Sequence, residues 1–255
     1  VKLNISQKGM KDWLNEALSE STYYITRGNK PNRNRFEGYS RSASIREGKS
    51  FYNWIYNSTD SYVTASMFMY WLYLHGGGNK IIKDIAHSDR DIEDYYKVVK
   101  AVKNNFPFYY QLQVQDWGSI LTSWYSANFS QSSSGLESYL GNYTFYPQII
   151  TGNYKINLSP GEGIYISPYL SARYTGNNII EKSLTNRNNR RATLILNKNS
   201  SLIPLTRDEV YLSYKNRGRS VEQFEILDTK PYLDPDIWID MLVTNISDNI
   251  NINKD

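Results

Sequence analysis

The amino-acid sequence predicts an α+β domain, with helices concentrated in its N-terminal half and short strands crowded into its last third. Three observations carry this. Near the N-terminus, apolar residues recur at the i, i+3, i+4, i+7 spacing of one helical face. Residues 163–167, 192–196, 209–213, 221–227 and 237–243 alternate in the manner of strands. No glycine-rich phosphate loop stands between a strand and a helix, so the Rossmann and Walker architectures have no footing.

The first helix is placed from Ser6, a capping residue, with Met10, Trp13, Leu14, Ala17 and Leu18 on its buried face. Thr22-Tyr23-Tyr24-Ile25-Thr26 is β-branched and aromatic and predicts a strand, ended by Arg27-Gly28 and the turn residues after it. Residues 51–74 predict helix in two pieces, closed by Gly76-Gly77-Gly78. Ser88-Asp89-Arg90-Asp91 has the cap-plus-acid pattern of a helix start, with Ile92, Tyr95, Tyr96, Val99 and Val102 as the buried face. Residues 109–114 look strand-like, but the fold of residues 106–156 as a whole stays open. Residues 169–174, after Pro168, are expected to form a helical turn.

Composition removes several classes of function. A chain of 255 residues can build a real core, and 23 Tyr and 6 Trp supply burial that a hydrophobic fraction of 40% would leave modest. The absence of Cys excludes disulfides, thiol catalysis and thiolate metal sites, and His75 and His87 are too few for a histidine-based site, so no metal is expected. The net charge of +4 is scattered, where a nucleic-acid module concentrates its basic residues on one face. The longest apolar run, residues 61–74, is shorter than the roughly 20 residues a spanning helix requires, so a core helix and no transmembrane segment is expected. The first residues, VKLNISQKG, carry no apolar signal-peptide core.

In Val221-Glu222-Gln223-Phe224-Glu225-Ile226-Leu227 the period of two projects Gln223 and Glu225 from one face of a strand. An ordinary half-exposed strand has the same pattern. Gly161-Glu162-Gly163-Ile164-Tyr165-Ile166-Ser167 alternates likewise, with Tyr165 and Ser167 on one face and Ile164 and Ile166 in the core. Arg27, at the exit of its expected strand, is suited to bidentate phosphate contact.

Taken in order, Arg27, Tyr165-Ile166-Ser167 and Gln223-Phe224-Glu225 resemble the arginine-serine-glutamate branch of the ADP-ribosyltransferase toxin superfamily. That branch has a first-strand arginine, an aromatic-x-Ser-Thr-Ser strand and a later Gln/Glu-x-Glu strand. Arg191-Ala192-Thr193-Leu194-Ile195-Leu196 resembles the strand between the last two. The sequence departs from the pattern at Pro168 and Tyr169, where the family has Thr and Ser, and in the long gap from Arg27 to Ser167.

The resemblance implies one catalytic domain over residues 1–255, with an ADP-ribosyltransferase-like mixed β-sheet core. It implies NAD as co-substrate and no metal. Glu225 is then the catalytic carboxylate and Gln223 the acceptor-orienting amide. Arg27, Ser167 and Tyr165 bind NAD, the first at the diphosphate, the second at the nicotinamide ribose and the third by stacking on nicotinamide. Gln-x-Glu accompanies acceptors other than arginine, asparagine in host proteins and guanine in DNA among them, and does not choose between these; a host protein is the acceptor expected first, DNA second. A toxin or effector is also expected to be secreted, to act in a target cell and to have a delivery partner.

Two other frames compete. Tyr62-Val63-Thr64-Ala65-Ser66 is similar to the Tyr-Val-Ser-Thr-Ser segment of cholera-toxin-like members, with Glu137 as the acid. Residues 161–174 are similar to the Gly-x-Gly-x-Tyr segment of the poly-ADP-ribose polymerase branch, where His75-Gly76 would replace the arginine. A non-enzymatic, aromatic-rich binding or targeting component of a toxin is the alternative from another class.

Overall fold

The computed structural model describes residues 12–28, 34–35, 37, 54, 59–143, 145–200 and 208–214, all within one compact unit, Val1–Tyr214. In chain order the helices are α1 (Asp12–Thr26), α2 (Thr59–His75), α3 (Asn79–Ala86), α4 (Asp94–Asn105), the single turn α5 (Phe108–Gln111) and α6 (Trp117–Ser130). The strands follow: β1 (Ile149–Ile150), β2 (Tyr154–Leu158), β3 (Gly163–Ile166), β4 (Leu170–Thr175), β5 (Ile179–Thr185), β6 (Arg191–Asn197) and β7 (Asp208–Tyr214). Helices first and sheets second is the α+β order expected from the sequence. The expected strands at 221–227 and 237–243 lie outside the described residues, as do Ser6 and Met10.

The strands form two sheets. One has the order β1-β3-β6-β5, with β1 parallel to β3 and the other pairs antiparallel; the second is antiparallel with the order β2-β7-β4. The first sheet is the middle layer and is apolar on both faces. Tyr165, Ala192, Leu194 and Leu196 turn towards the helices and join their core, whereas Ile164, Ile166 and Ile195 turn the other way. There they meet Leu158, Leu170, Val210 and Leu212 of the second sheet. Alternation in β7 then leaves Glu209, Tyr211 and Ser213 on the outer face, as the period of two requires.

Several sequence expectations are corrected. Residues 22–26 continue α1 and do not form a strand. Tyr24 is fully buried, with its ring centroid 5.3 Å from that of Tyr70 and 5.0 Å from that of Tyr73 on α2. Packing of that face overrides local β propensity, and the Thr22 and Thr26 hydroxyls donate back to Ser19 O and Thr22 O, both at 2.7 Å. α4 starts at Asp94, later than the cap at 88–91 suggested, and Tyr96 is half exposed. Residues 109–114 contain helix and turn where a strand was expected. Residues 170–175 pair with β7 as β4 where a helical turn was expected.

The open stretch 106–156 contains α6. Its start is a capping box: Asp116 Oδ1 accepts from Ser119 N at 2.7 Å, and Ser119 Oγ accepts from Asp116 N at 3.0 Å. α6 lies against the middle sheet so closely that a Cβ on Gly163 would stand 2.7 Å from the Tyr125 ring, which explains glycine at the head of β3.

Candidate functional site

Gln223 and Glu225 lie outside the described residues, so the site is built from the residues that can be placed. Ser167 stands at the exit of β3, where the chain passes from the middle sheet to the outer one. Its backbone N–H donates to Ile150 O at 2.7 Å, which extends the parallel β1–β3 pairing by one bond, and its carbonyl accepts from Leu170 N at 2.9 Å. Its Oγ accepts from Tyr169 N at 3.4 Å, and the residue is half-buried. A turn thus holds a hydroxyl at a strand end next to Pro168.

Tyr165 does not share that position. It is 3% exposed, its hydroxyl donates to Tyr125 O at 2.7 Å, and its ring stacks on Phe129 at 5.5 Å. The expectation that it stacks on nicotinamide is corrected, because its face of β3 is the one covered by α6. Replacing Tyr165 by Phe should cost about 1 kcal/mol of stability through the lost hydrogen bond, read as a lower melting temperature. An unchanged melting temperature would contradict this burial.

Arg27 is exposed at the end of α1, so the first-strand position implied by the resemblance is also corrected. Its N–H donates to Tyr23 O at 3.0 Å and its guanidinium lies 5.9 Å from the Tyr23 ring. The guanidinium faces solvent. Ser66 lies inside α2 and is 1% exposed, so the strand it would need in its frame is absent there. Glu137, the acid of that frame, pairs with Lys182 on β5.

His75, the residue of the third frame, closes α2 and is 4% exposed. Its Nε2 donates to Ser138 O at 3.0 Å, and Trp71, Phe106 and Tyr110 surround the ring at centroid distances of 5.4, 6.1 and 5.6 Å. Burial holds its pKa below the usual histidine value, and the bond to Ser138 opposes that shift. Neutral imidazole is therefore favoured in the folded chain and the unfolded chain binds the extra proton first. The linked stability is present above the unfolded pKa of about 6.5 and is lost as pH falls through it towards the lower folded value. Melting temperature should fall over that range, and His75→Gln should flatten the fall. An unchanged slope in the variant would contradict the assignment.

Two features were not anticipated from the sequence. On the outer face of the second sheet, Glu209 takes a salt bridge from Lys155 at 2.9 Å and a hydrogen bond from Tyr211 at 2.7 Å. Those bonds, Lys155 first, hold its carboxyl below the usual range, and burial followed by Glu209 raises the Tyr211 phenol. Ser171 and Ser213 bond across β4 and β7 at 2.8 Å. Glu209, Tyr211 and Ser213 alternate legibly in the sequence, whereas Lys155 meets them only through the β2–β7 register. With both carboxylate oxygens engaged, the cluster fastens the outer sheet.

The second feature is a cleft of about 440 Å³, lined among others by Tyr95, Tyr96, Lys103, Asp116, Asn178 and Lys198. Its volume is within the range of small-molecule sites. The Asp116 carboxyl is held low chiefly by the Ser119 N–H, with Lys198 and Lys103 adding to the effect. None of Arg27, Tyr165 and Ser167 lines it. Among the described residues no group of three or more His, Cys, Asp or Glu could hold a metal ion, and no helix is long and apolar enough to cross a membrane. Comparison with protein-family models and with curated proteins returns no match to this chain.

Proposed function

We propose that the chain is a mono-ADP-ribosyltransferase of the toxin type, which cleaves NAD and transfers ADP-ribose to a macromolecular acceptor of a target cell. The observation that carries the reading is the position of Ser167. It is a half-buried serine just past the end of β3, and β3 pairs along its length with β6, the strand of residues 191–197. The resemblance calls for that neighbour on the path from the serine to the Gln-x-Glu segment. The order of helices, then Ser167, then β6, then Gln223-Phe224-Glu225 supports the same reading.

In the proposed reaction the bond between the nicotinamide nitrogen and C1′ of the ribose breaks. Nicotinamide leaves with the electron pair, and a nucleophile of the acceptor bonds to C1′. The transition state is oxocarbenium-like, so Glu225 stabilises it through a hydrogen bond to the ribose, as carboxylates do in glycoside hydrolysis. Gln223 orients the acceptor, and Ser167 supports the carboxylate and the ribose. Arg27 contributes a solvent-facing guanidinium for the diphosphate, from a helix end. Gln-x-Glu argues against an arginine acceptor; the acceptor proposed is a protein of a host cell, reached by a secreted chain with a delivery partner, with DNA as the second candidate.

The aromatic-rich binding component is the second reading, favoured by the cleft that Tyr95 and Tyr96 line. NAD labelled separately in its nicotinamide and adenylate halves distinguishes the two. The enzyme releases nicotinamide without an acceptor and labels a macromolecule in a target-cell extract. Failure of both would leave the binding reading standing.

A further inference from the structure

The cleft of about 440 Å³ is lined from α4, from the start of α6 and from the sheet, and each contributes a different chemistry. Tyr95, Val99 and Lys103, four residues apart, share one face of α4 and set an aromatic and apolar surface beside an ammonium group. Trp117 of α6 continues that surface, with its ring centroid 6.3 Å from that of Tyr95, and Asp116 before it brings a carboxylate. Lys198 and Asn178 enter from the sheet. We propose that the cleft binds a mononucleotide, with its base on the Tyr95–Trp117 surface, its phosphate at Lys103 and Lys198 and its ribose hydroxyls at Asp116.

The wall that carries Lys198 is ordered. Lys198 N donates to Asn178 O at 2.7 Å, and Asn199 N donates to Asn197 Oδ1 at 3.0 Å. Asn197 is itself fully buried, and its Nδ2 donates to Leu158 O at 2.8 Å. Gly118 lets the Lys198 stem lie on the first turn of α6, since a Cβ there would stand 3.2 Å from Lys198 Cβ. Among the described residues neither Lys103 nor Lys198 takes part in a salt bridge or a side-chain hydrogen bond. Both ammonium groups nevertheless help the Ser119 N–H to hold the Asp116 carboxyl low, so they stand within electrostatic reach of one place in the cleft.

The ligand follows from the three chemistries taken together. Two ammonium groups against one carboxylate leave the lining with an excess of positive charge, which a phosphate balances. A bare phosphate would leave the aromatic surface uncovered, whereas a planar base covers Tyr95 and the half-exposed Tyr96. Asp116 Oδ1 accepts from Ser119 N at 2.7 Å, and an ionised carboxylate has about four lone-pair sites, so it can also accept from a ribose diol. The volume lies within the range of small-molecule sites. None of Arg27, Tyr165 and Ser167 lines the cleft, so the inference goes beyond the proposed function and does not depend on it.

The test is calorimetric titration of the full chain with AMP and with its parts, adenosine and ribose 5-phosphate. The parental chain should bind AMP saturably. Each part should bind about tenfold more weakly or worse, because one lacks the charged hydrogen bonds and the other the stacked base. The 2′,3′-dideoxy form of AMP should also bind more weakly than AMP. Lys103→Gln with Lys198→Gln should lower AMP affinity about tenfold or more and leave adenosine affinity unchanged, whereas Tyr96→Ser should weaken both. Melting temperatures should stay near that of the parent, because these side chains are exposed. Absence of saturable AMP binding by the parental chain, or parental AMP affinity in a normally folded lysine variant, overturns the proposal. So does ribose 5-phosphate binding as tightly as AMP, which would show a phosphate site that ignores the base, or adenosine doing so, which would show that the lysines hold no phosphate.

Discussion

Replacing Trp71 by Ala is expected to destabilise the domain by about 3–5 kcal/mol, the range for truncating a fully buried aromatic residue. Trp71 is fully buried in α2, where Phe68 stacks on it at 6.4 Å, and Phe106 and His75 stand edge-on at 5.7 and 5.4 Å. Its Nε1 also donates to Leu136 O at 2.9 Å. That bond ties residues 131–145 to the helical layer, and losing it strands a carbonyl at a further cost of about 1–3 kcal/mol. Domains have only about 5–15 kcal/mol in total, so the variant should melt on the order of ten degrees or more below the parent. Trp71→Phe keeps part of the burial but removes the donor and leaves a smaller cavity, so its loss should be about half as large. A Trp71→Ala variant that melts within a degree or two of the parent would show that this helix is not central to the core.

Where a segment buries one face against its immediate surroundings, its sequence announced it. Trp13, Leu14, Ala17 and Leu18 fall on the buried face of α1, and residues 163–166, 191–197 and 208–214 are strands, as their patterns indicated. The errors arise where distant parts of the chain decide. Tyr24 is drawn into α1 by Tyr70 and Tyr73, more than forty residues away along the chain. Residues 170–175 become a strand because β7 pairs with them, and nothing local announces that partner. In α6 the capping residues Asp116 and Ser119 and the apolar Ile120, Leu121 and Trp124 were all present. Gly118 and the serines of the segment masked the helical pattern by their low propensity.

The site was legible to a smaller degree for a related reason. Alternation correctly separated Tyr165 from Ile164 and Ile166, but it cannot tell a solvent face from one covered by helices. Tyr165 was therefore expected against a ligand and lies under α6 instead. Ser167, one residue beyond the strand, escapes that cover because the chain leaves the middle sheet there. The Lys155–Glu209 pair depends on a register set across some fifty residues of chain, which a linear pattern does not encode.

In the proposed reaction Glu225 stabilises the transition state of NAD cleavage, and Glu225→Gln tests that role most directly. A carboxylate that meets mainly the charge developing in the transition state contributes to the rate and little to ground-state affinity. Gln keeps the size and part of the hydrogen bonding but removes the negative charge. Nicotinamide release should fall on the order of a hundredfold or more, with NAD affinity and melting temperature close to those of the parent. A Glu225→Gln chain that folds normally and releases nicotinamide at the parental rate would contradict the account.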